Sequence, residues 1–186
     1  MVTTLRPSNT LEELPNGLSR LSIYFQNVRG LRTKSADLYL SASACEYDCV
    51  CLVETWLSSD VSNSEYFTNN FCVFRKDRNH EVSNKTRGGG ALIAVSSKYV
   101  ALGLDLSAFS IPAIDIVGCK IKFGHEFTYL FSVYIPPDIS LHDLESFFEL
   151  FESFVLDKKK ILLLGDFNVP NFINSTKKRV KIGGNC

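Results

Sequence analysis

Apolar residues along this chain come in short runs of strand length, separated by turn residues. LSIYFQN (21–27), CVCLVET (49–55), FCVFR (71–75), GALIAV (90–95), AIDIVGCKI (113–121), FTYLFSVYI (127–135) and KILLLGD (160–166) are each rich in β-branched or aromatic residues. Seven such runs predict a sheet protein. Leu141, Leu144, Phe148, Phe151 and Val155 instead repeat at three and four residues, which predicts an amphipathic helix over 141–156. Ser140, with Asp143 three residues on, is an acidic variant of the capping box, and Glu145, Glu149 and Glu152 fall on the solvated face. A second, shorter helix is expected over 35–46. Residues 1–20 are polar, with Pro7, Pro15, Asn16 and Gly17, and read as a leader that joins no sheet. Strands interleaved with a few helices predict α/β layering, with two sheets face to face and helices outside.

At 186 residues and 45% apolar content the chain suits one well-filled core, which rules out disorder as its main state. Twenty basic and twenty acidic residues give a formal net charge of zero. The zero hides local fields. Arg29, Arg32 and Lys34 stand in 26–34 without an acid, and Arg75, Lys76, Arg78, Lys85 and Arg87 outnumber Asp77 and Glu81 in 75–87. A polyanion could therefore meet one face of the protein. No apolar run has membrane-spanning or signal-peptide length, so an intracellular protein is expected. The six cysteines sit mostly inside apolar runs, as in CVCLV, and suit reduced, buried thiols. Zinc is disfavoured, because there is no C-x-x-C pair and His80, His125 and His142 stand alone.

Chemistry is expected where buried strands end in polar residues, since a rigid sheet can hold such ends in one cleft. Four strands close this way. The first ends in Asn27 and Arg29, the second in Glu54, the sixth in Tyr134 followed by Ile-Pro-Pro, and the seventh in Asp166 and Asn168. Two carboxylates and two amides form an all-oxygen set of the kind Mg²⁺ accepts, with places left for water and phosphate oxygens. That set favours phosphoryl transfer. Taken alone, LLLGDFNVP is equally a strand followed by an ordinary Asx turn. Gly88 to Gly90 lack the Lys-Ser or Lys-Thr of a phosphate cradle and suit a turn into a strand. Arg75, Lys76, Arg78 and Arg87 suit either nucleic-acid backbone contact or a solvated charge run.

QNVRGLR, VETWL, YIPP and LGDFN, in this order and separation, closely resemble the endonuclease/exonuclease/phosphatase superfamily. Within it, ETWL, RKDR (75–78), TRGGGALIAV (86–95) and YIPPDIS are similar to the endonuclease domain of insect-type non-LTR retrotransposons. The resemblance covers about residues 21–170. It implies a four-layered α/β sandwich, with two mainly antiparallel sheets and flanking helices. It also implies hydrolysis of a DNA phosphodiester with Mg²⁺ or Mn²⁺, leaving a 3′-hydroxyl nick that primes reverse transcription, with a reverse transcriptase domain as partner and the nucleus as the place of work. Carried over by motif, Asn27 and Glu54 hold the metal, Asp166 and Asn168 position the attacking water and the phosphate, and Tyr134 donates to a non-bridging oxygen. Arg29, Arg75, Arg78 and Arg87 become candidate DNA contacts. Asp115 is the nearest match to a carboxylate that often precedes the Tyr-x-Pro strand. Trp56 is expected to pack beneath the metal loop.

Members of the superfamily also carry a late Asp-His element. No histidine follows His142 here, and 171–186 reads as a basic, disordered tail, so the expectation is a domain incomplete at its C-terminus with weakened or no activity. Two other readings stand beside an active endonuclease. One is a non-catalytic retrotransposon remnant that binds nucleic acid or protein, and the other is a phosphatase or lipid phosphodiesterase of the same superfamily.

Overall fold

The computed structural model describes residues 20–34, 47–78, 88–109, 111–123 and 125–168. Eight strands, β1 (Ile23–Asn27), β2 (Cys49–Val53), β3 (Phe71–Lys76), β4 (Ala91–Ser96), β5 (Ala101–Gly103), β6 (Asp115–Phe123), β7 (Glu126–Tyr134) and β8 (Ile161–Asp166), are joined by one α-helix, α1 (Leu141–Val155), among the described residues. The helix expected over 35–46, the leader up to residue 19 and the tail over 171–186 lie outside them.

The strands form two four-stranded sheets, in the orders β1-β2-β4-β3 and β5-β6-β7-β8. Each is mixed, with one parallel pair, β1 with β2 in the first and β7 with β8 in the second. The other pairs are antiparallel. Cys49, Cys51 and Val53 of β2 and Ala91, Ile93 and Val95 of β4 alternate inward to meet Val117, Cys119, Ile121 and Leu130 of the second sheet. Val50, Leu52, Leu92 and Ala94 point the other way, onto Leu31, Leu57, Tyr66 and Phe67. Both faces of β2 are thus covered, which is why CVCLV is a continuous apolar run. The cysteine reading holds for Cys49, Cys51 and Cys119, which are free and buried, while Cys72 is exposed.

Helix α1 covers the outer face of the second sheet, but with a different stripe from the one the spacing suggested. Leu144, Phe147 and Phe151 are the buried residues, packed on Phe131 and Val133, whereas Leu141 and Phe148 are exposed. Phe147 takes the place assigned to Phe148 because Phe109 and Phe131 build an aromatic cluster on that side of the helix. Glu145, Glu149 and Glu152 face solvent as expected. Ser140 caps the helix, its Oγ accepting from the Asp143 amide at 3.0 Å. Asp143 returns to the Ser140 hydroxyl rather than its backbone, so the box closes only in part. Strand β5 was not foreseen, since three residues carry too little alternation to register.

Register sets up the site. In the parallel pairs Asn27 stands beside Val53, and Tyr134 beside Asp166, while antiparallel pairing puts Asp115 opposite Tyr134. One end of the sandwich therefore gathers the C-terminal ends of β1, β2, β7 and β8 with the start of β6. No helix among the described residues is long and apolar enough to cross a membrane.

Candidate active site

On the first sheet, the backbone ladder continues past the strands. The amides of Val28, Gly30 and Leu31 donate to the carbonyls of Val53, Glu54 and Thr55 at 3.0, 2.8 and 2.9 Å. This lacing holds Arg29, Glu54 and Trp56 at φ of 49°, 55° and 54°, a left-handed region costly for residues with a Cβ. Two contacts explain how it is tolerated. The Arg29 amide donates to Asn27 Oδ1 at 3.2 Å, closing an Asx turn. Gly30, at φ 96°, leaves room for the Trp56 ring, since a Cβ there would stand 2.7 Å from Trp56 Cε3. Trp56 thus packs under the loop as expected, although its buried indole nitrogen has no partner among the described residues.

On the second sheet, β8 passes close to β7 because Gly165 has no side chain to strike the Val133 carbonyl. The Ile135 amide donates to the Asp166 carbonyl at 3.0 Å, and Asn168, at φ 36°, donates through Nδ2 to the Ile135 carbonyl at 3.1 Å. Asn168 thereby ties the Asp166 loop to the Tyr134 loop, and this contact uses its amide nitrogen and leaves Oδ1 for other partners.

Across the sandwich the two halves meet at one group. Asn27 Nδ2 donates to Glu54 Oε1 at 2.8 Å and to Asp166 Oδ2 at 2.7 Å, joining residues 139 positions apart. Tyr134 is buried beside them, and its phenol is pushed up to about 12, first by burial and then by the negative charge of Glu54. It is therefore a hydroxyl donor throughout the neutral range.

The structure moves two arginines away from the roles the sequence suggested. Arg78 is not a surface charge, because its side chain is 3% exposed and bridges Asp115, which is equally buried, at 2.6 Å. Its Nε donates to the same Asp115 oxygen at 3.0 Å, and Nη2 reaches the Ala113 carbonyl at 3.1 Å. Arg75 is likewise occupied, donating to Asn63 Oδ1 and the Ser58 carbonyl and pairing with Asp77 at 3.1 Å. In both cases neighbouring acceptors claim the guanidinium donors that a phosphate would need. Arg29 is exposed at the site's rim, and Arg87 lies outside the described residues.

The glycine triplet is a turn into β4, and its glycines have a packing reason. A Cβ on Gly89 would overlap Arg78 Nε and Asp115 Oδ2, and one on Gly90 would overlap the Thr55 hydroxyl. Gly90 also donates its amide to Asp115 Oδ2 at 2.9 Å, while Trp56 donates to the Gly89 carbonyl at 3.0 Å. Sequence reasoning missed this role for Arg78. RKDR is a charge run by composition, and only the register that sets Asp115 beside the turn reveals the pairing.

Among the described residues no three His, Cys, Asp or Glu side chains form a metal cluster, so the donor set is two carboxylates and an amide. That set still suits a hard cation. Glu54 and Asp166 converge on one point with only a neutral amide between them, and like charges so placed are relieved by a cation. Rotation of the Asn27 amide would present Oδ1 there in place of Nδ2, at the cost of the Arg29 contact that Oδ1 now accepts. One or two carboxylates with water and phosphate is the usual protein share of a Mg²⁺ shell.

Residues 25–185 match the sequence profile of the Endonuclease/Exonuclease/phosphatase family. The chain belongs to this family. No curated protein matches it by direct sequence comparison. Among solved structures, it is similar to the endonuclease domain of TRAS1, a telomere-specific non-LTR retrotransposon, with a TM-score of 0.59 and 17% identity over 81% of this chain and 62% of that one. A humanized TDP2 of D. rerio aligns with a TM-score of 0.58 at 14% identity, over 81% of this chain and 67% of its own. A 3′ phosphatase, NExo, from Neisseria bound to a product DNA hairpin gives 0.57 at 16% identity, over 81% of this chain and 58% of its own. These likenesses support the fold, and the chain spans about three fifths of the retrotransposon domain and of the Neisseria enzyme.

Proposed function

We propose that this chain carries the metal-binding half of a Mg²⁺-dependent DNA endonuclease site, of the kind that nicks DNA to prime reverse transcription. The observation that carries the reading is the Asn27 amide shared by Glu54 and Asp166, beside a buried, protonated Tyr134. The named neighbours agree with it, since one is a retrotransposon endonuclease domain and others were solved with a single-strand DNA product or a DNA hairpin.

Asn27 and Glu54 would hold the ion, which supplies Lewis acidity toward a phosphoryl oxygen. Asp166 and the Asn168 Oδ1 accept from the attacking water and orient it, and the second Nδ2 hydrogen of Asn168, beside the one given to Ile135, donates to the phosphate. The Tyr134 hydroxyl donates its O–H to the non-bridging oxygen on which charge grows. The new bond joins water oxygen to phosphorus as the bond from phosphorus to the 3′ oxygen breaks. The attacking water loses a proton to bulk water and the departing 3′ oxygen takes one from it, leaving a 5′-phosphate and a 3′-hydroxyl. Arg29, exposed beside Asn27, is the base best placed for a neighbouring phosphate.

Among the described residues no histidine joins the site, and His80 lies outside them. His125 lies in the turn between β6 and β7, at the far end of the strands from Tyr134, and the His142 side chain is 90% exposed on α1. Neither joins the site, and the described residues acting without a histidine would turn over slowly, because a positioned general acid or base typically adds about 10²–10⁴-fold. A substrate panel tests the reading. Supercoiled DNA, a DNA 3′-phosphate and a phospholipid are each offered with Mg²⁺, and preferential turnover of the internal DNA diester is expected. Preference for the monoester or the lipid would replace this reading with a phosphatase or lipid phosphodiesterase.

A further inference from the structure

We infer that Arg78 and Asp115 act as a buried positioning pair for Tyr134, with the glycine triplet as the third part of the clamp. The inference rests on the reading of Tyr134 as the phosphate-facing donor. Four observations support it. Asp115 is the direct cross-strand partner of Tyr134, which in turn stands beside Asp166. Arg78 lies against the Tyr134 ring, with Cζ 5.3 Å from the centroid. One oxygen of Asp115 accepts from Arg78 Nε, Arg78 Nη2 and the Gly90 amide. Gly89 leaves no side chain where the guanidinium and carboxylate meet.

The arrangement is costly as a mere source of stability. A buried ion pair repays its desolvation only with good geometry, and apolar residues of similar volume often serve stability as well. Here the pair is fixed from three sides and its cation is placed on an aromatic face, a contact that holds the ring in one plane. The glycine turn is also bonded to Thr55 and Trp56, which follow Glu54 directly. Arg78 and Asp115 thus set the Tyr134 hydroxyl relative to Glu54, without touching substrate themselves.

The test combines spectroscopy with kinetics, on Arg78→Lys, Arg78→Met and the double variant Arg78→Met/Asp115→Leu. Tyrosine is labelled with ¹³C at Cζ, and Tyr134→Phe assigns the Tyr134 signal. The double variant removes both charges, so it stays folded where Arg78→Met alone strands a buried carboxylate. A displaced or broadened Tyr134 signal in the folded double variant, with the other tyrosines unmoved, supports the pairing. On DNA its turnover should fall about 10- to 100-fold, the usual size of a sub-ångström misplacement, with KM changed less than about twofold. Arg78→Lys, which keeps the charge, should recover part of both. A folded double variant whose Tyr134 signal matches wild type would overturn the inference. If wild type shows no hydrolysis at all, the proposed function fails while the Tyr134 signal still decides the pairing.

Discussion

Glu54→Gln should make the protein more stable without metal and less stable with it. Both carboxylates lie within 2.8 Å of one Asn27 nitrogen, so their nearest oxygens are at most roughly 5.5 Å apart. Two unit charges at about 5 Å repel by about 3 kcal/mol at an effective dielectric of about 20. Glu54 and Asp166 are only half-buried, and solvent screening brings this to about 1–2 kcal/mol. Gln keeps an amide oxygen for the Asn27 bond and loses only the charge. In EDTA the variant should therefore gain roughly 2–8 °C in Tm, at about 2–4 °C per kcal/mol for a chain of this size. Added Mn²⁺ reverses the order. A ligand at 100 times its Kd stabilises the native state by about 2.7 kcal/mol, which wild type should receive and Glu54→Gln should largely lose. Thermal unfolding with and without Mn²⁺ reads both signs in one experiment. Equal Tm values in EDTA together with equal shifts in Mn²⁺ would refute the reasoning and remove Glu54 from the site.

Two further outcomes follow from packing and burial. Gly88→Ala meets no atom within 4 Å and should cost only the strain of its φ of 100°, about 1–2 kcal/mol, whereas Gly89→Ala must also displace the Arg78–Asp115 pair and should exceed 3 kcal/mol by roughly the loss of a buried pair. Urea denaturation of the two variants checks the difference. Cys49 and Cys119 are pushed up to about 12 by burial, from an ordinary thiol value of 9.0. Their folded values are raised, so their contribution is complete below about pH 9 and lost as pH rises toward 12, with a slope of about 1.4 kcal/mol per pH unit for each thiol. Cys119→Ala should be less stable at neutral pH but show a shallower alkaline decline in denaturant midpoint.

The layers of this protein were readable because seven of its eight described strands, all but the three-residue β5, are apolar runs bounded by their own turn residues. Five members of the proposed site, Asn27, Glu54, Tyr134, Asp166 and Asn168, could be named because each stands at the polar end of an apolar run and the four motifs together, in order and separation, resemble the family. What the pattern could not supply is anything set by register between distant strands. Arg78 looks like one base among several until β6 places Asp115 beside the glycine turn. The stripe on α1 slipped by one residue, from Phe148 to Phe147, because both phenylalanines fit a helical period. Only the partner surface on Phe109 and Phe131 separates them.

The central claim is that Asn27, Glu54 and Asp166 form a working phosphodiesterase site. Nicking of supercoiled plasmid by the purified chain in Mg²⁺, with folded Asp166→Asn beside it, tests this most directly. Slow, EDTA-sensitive nicking that leaves 3′-hydroxyl ends and disappears in Asp166→Asn is expected. Nicking equal in both proteins, or none by a folded wild type in Mg²⁺ or Mn²⁺, would contradict it.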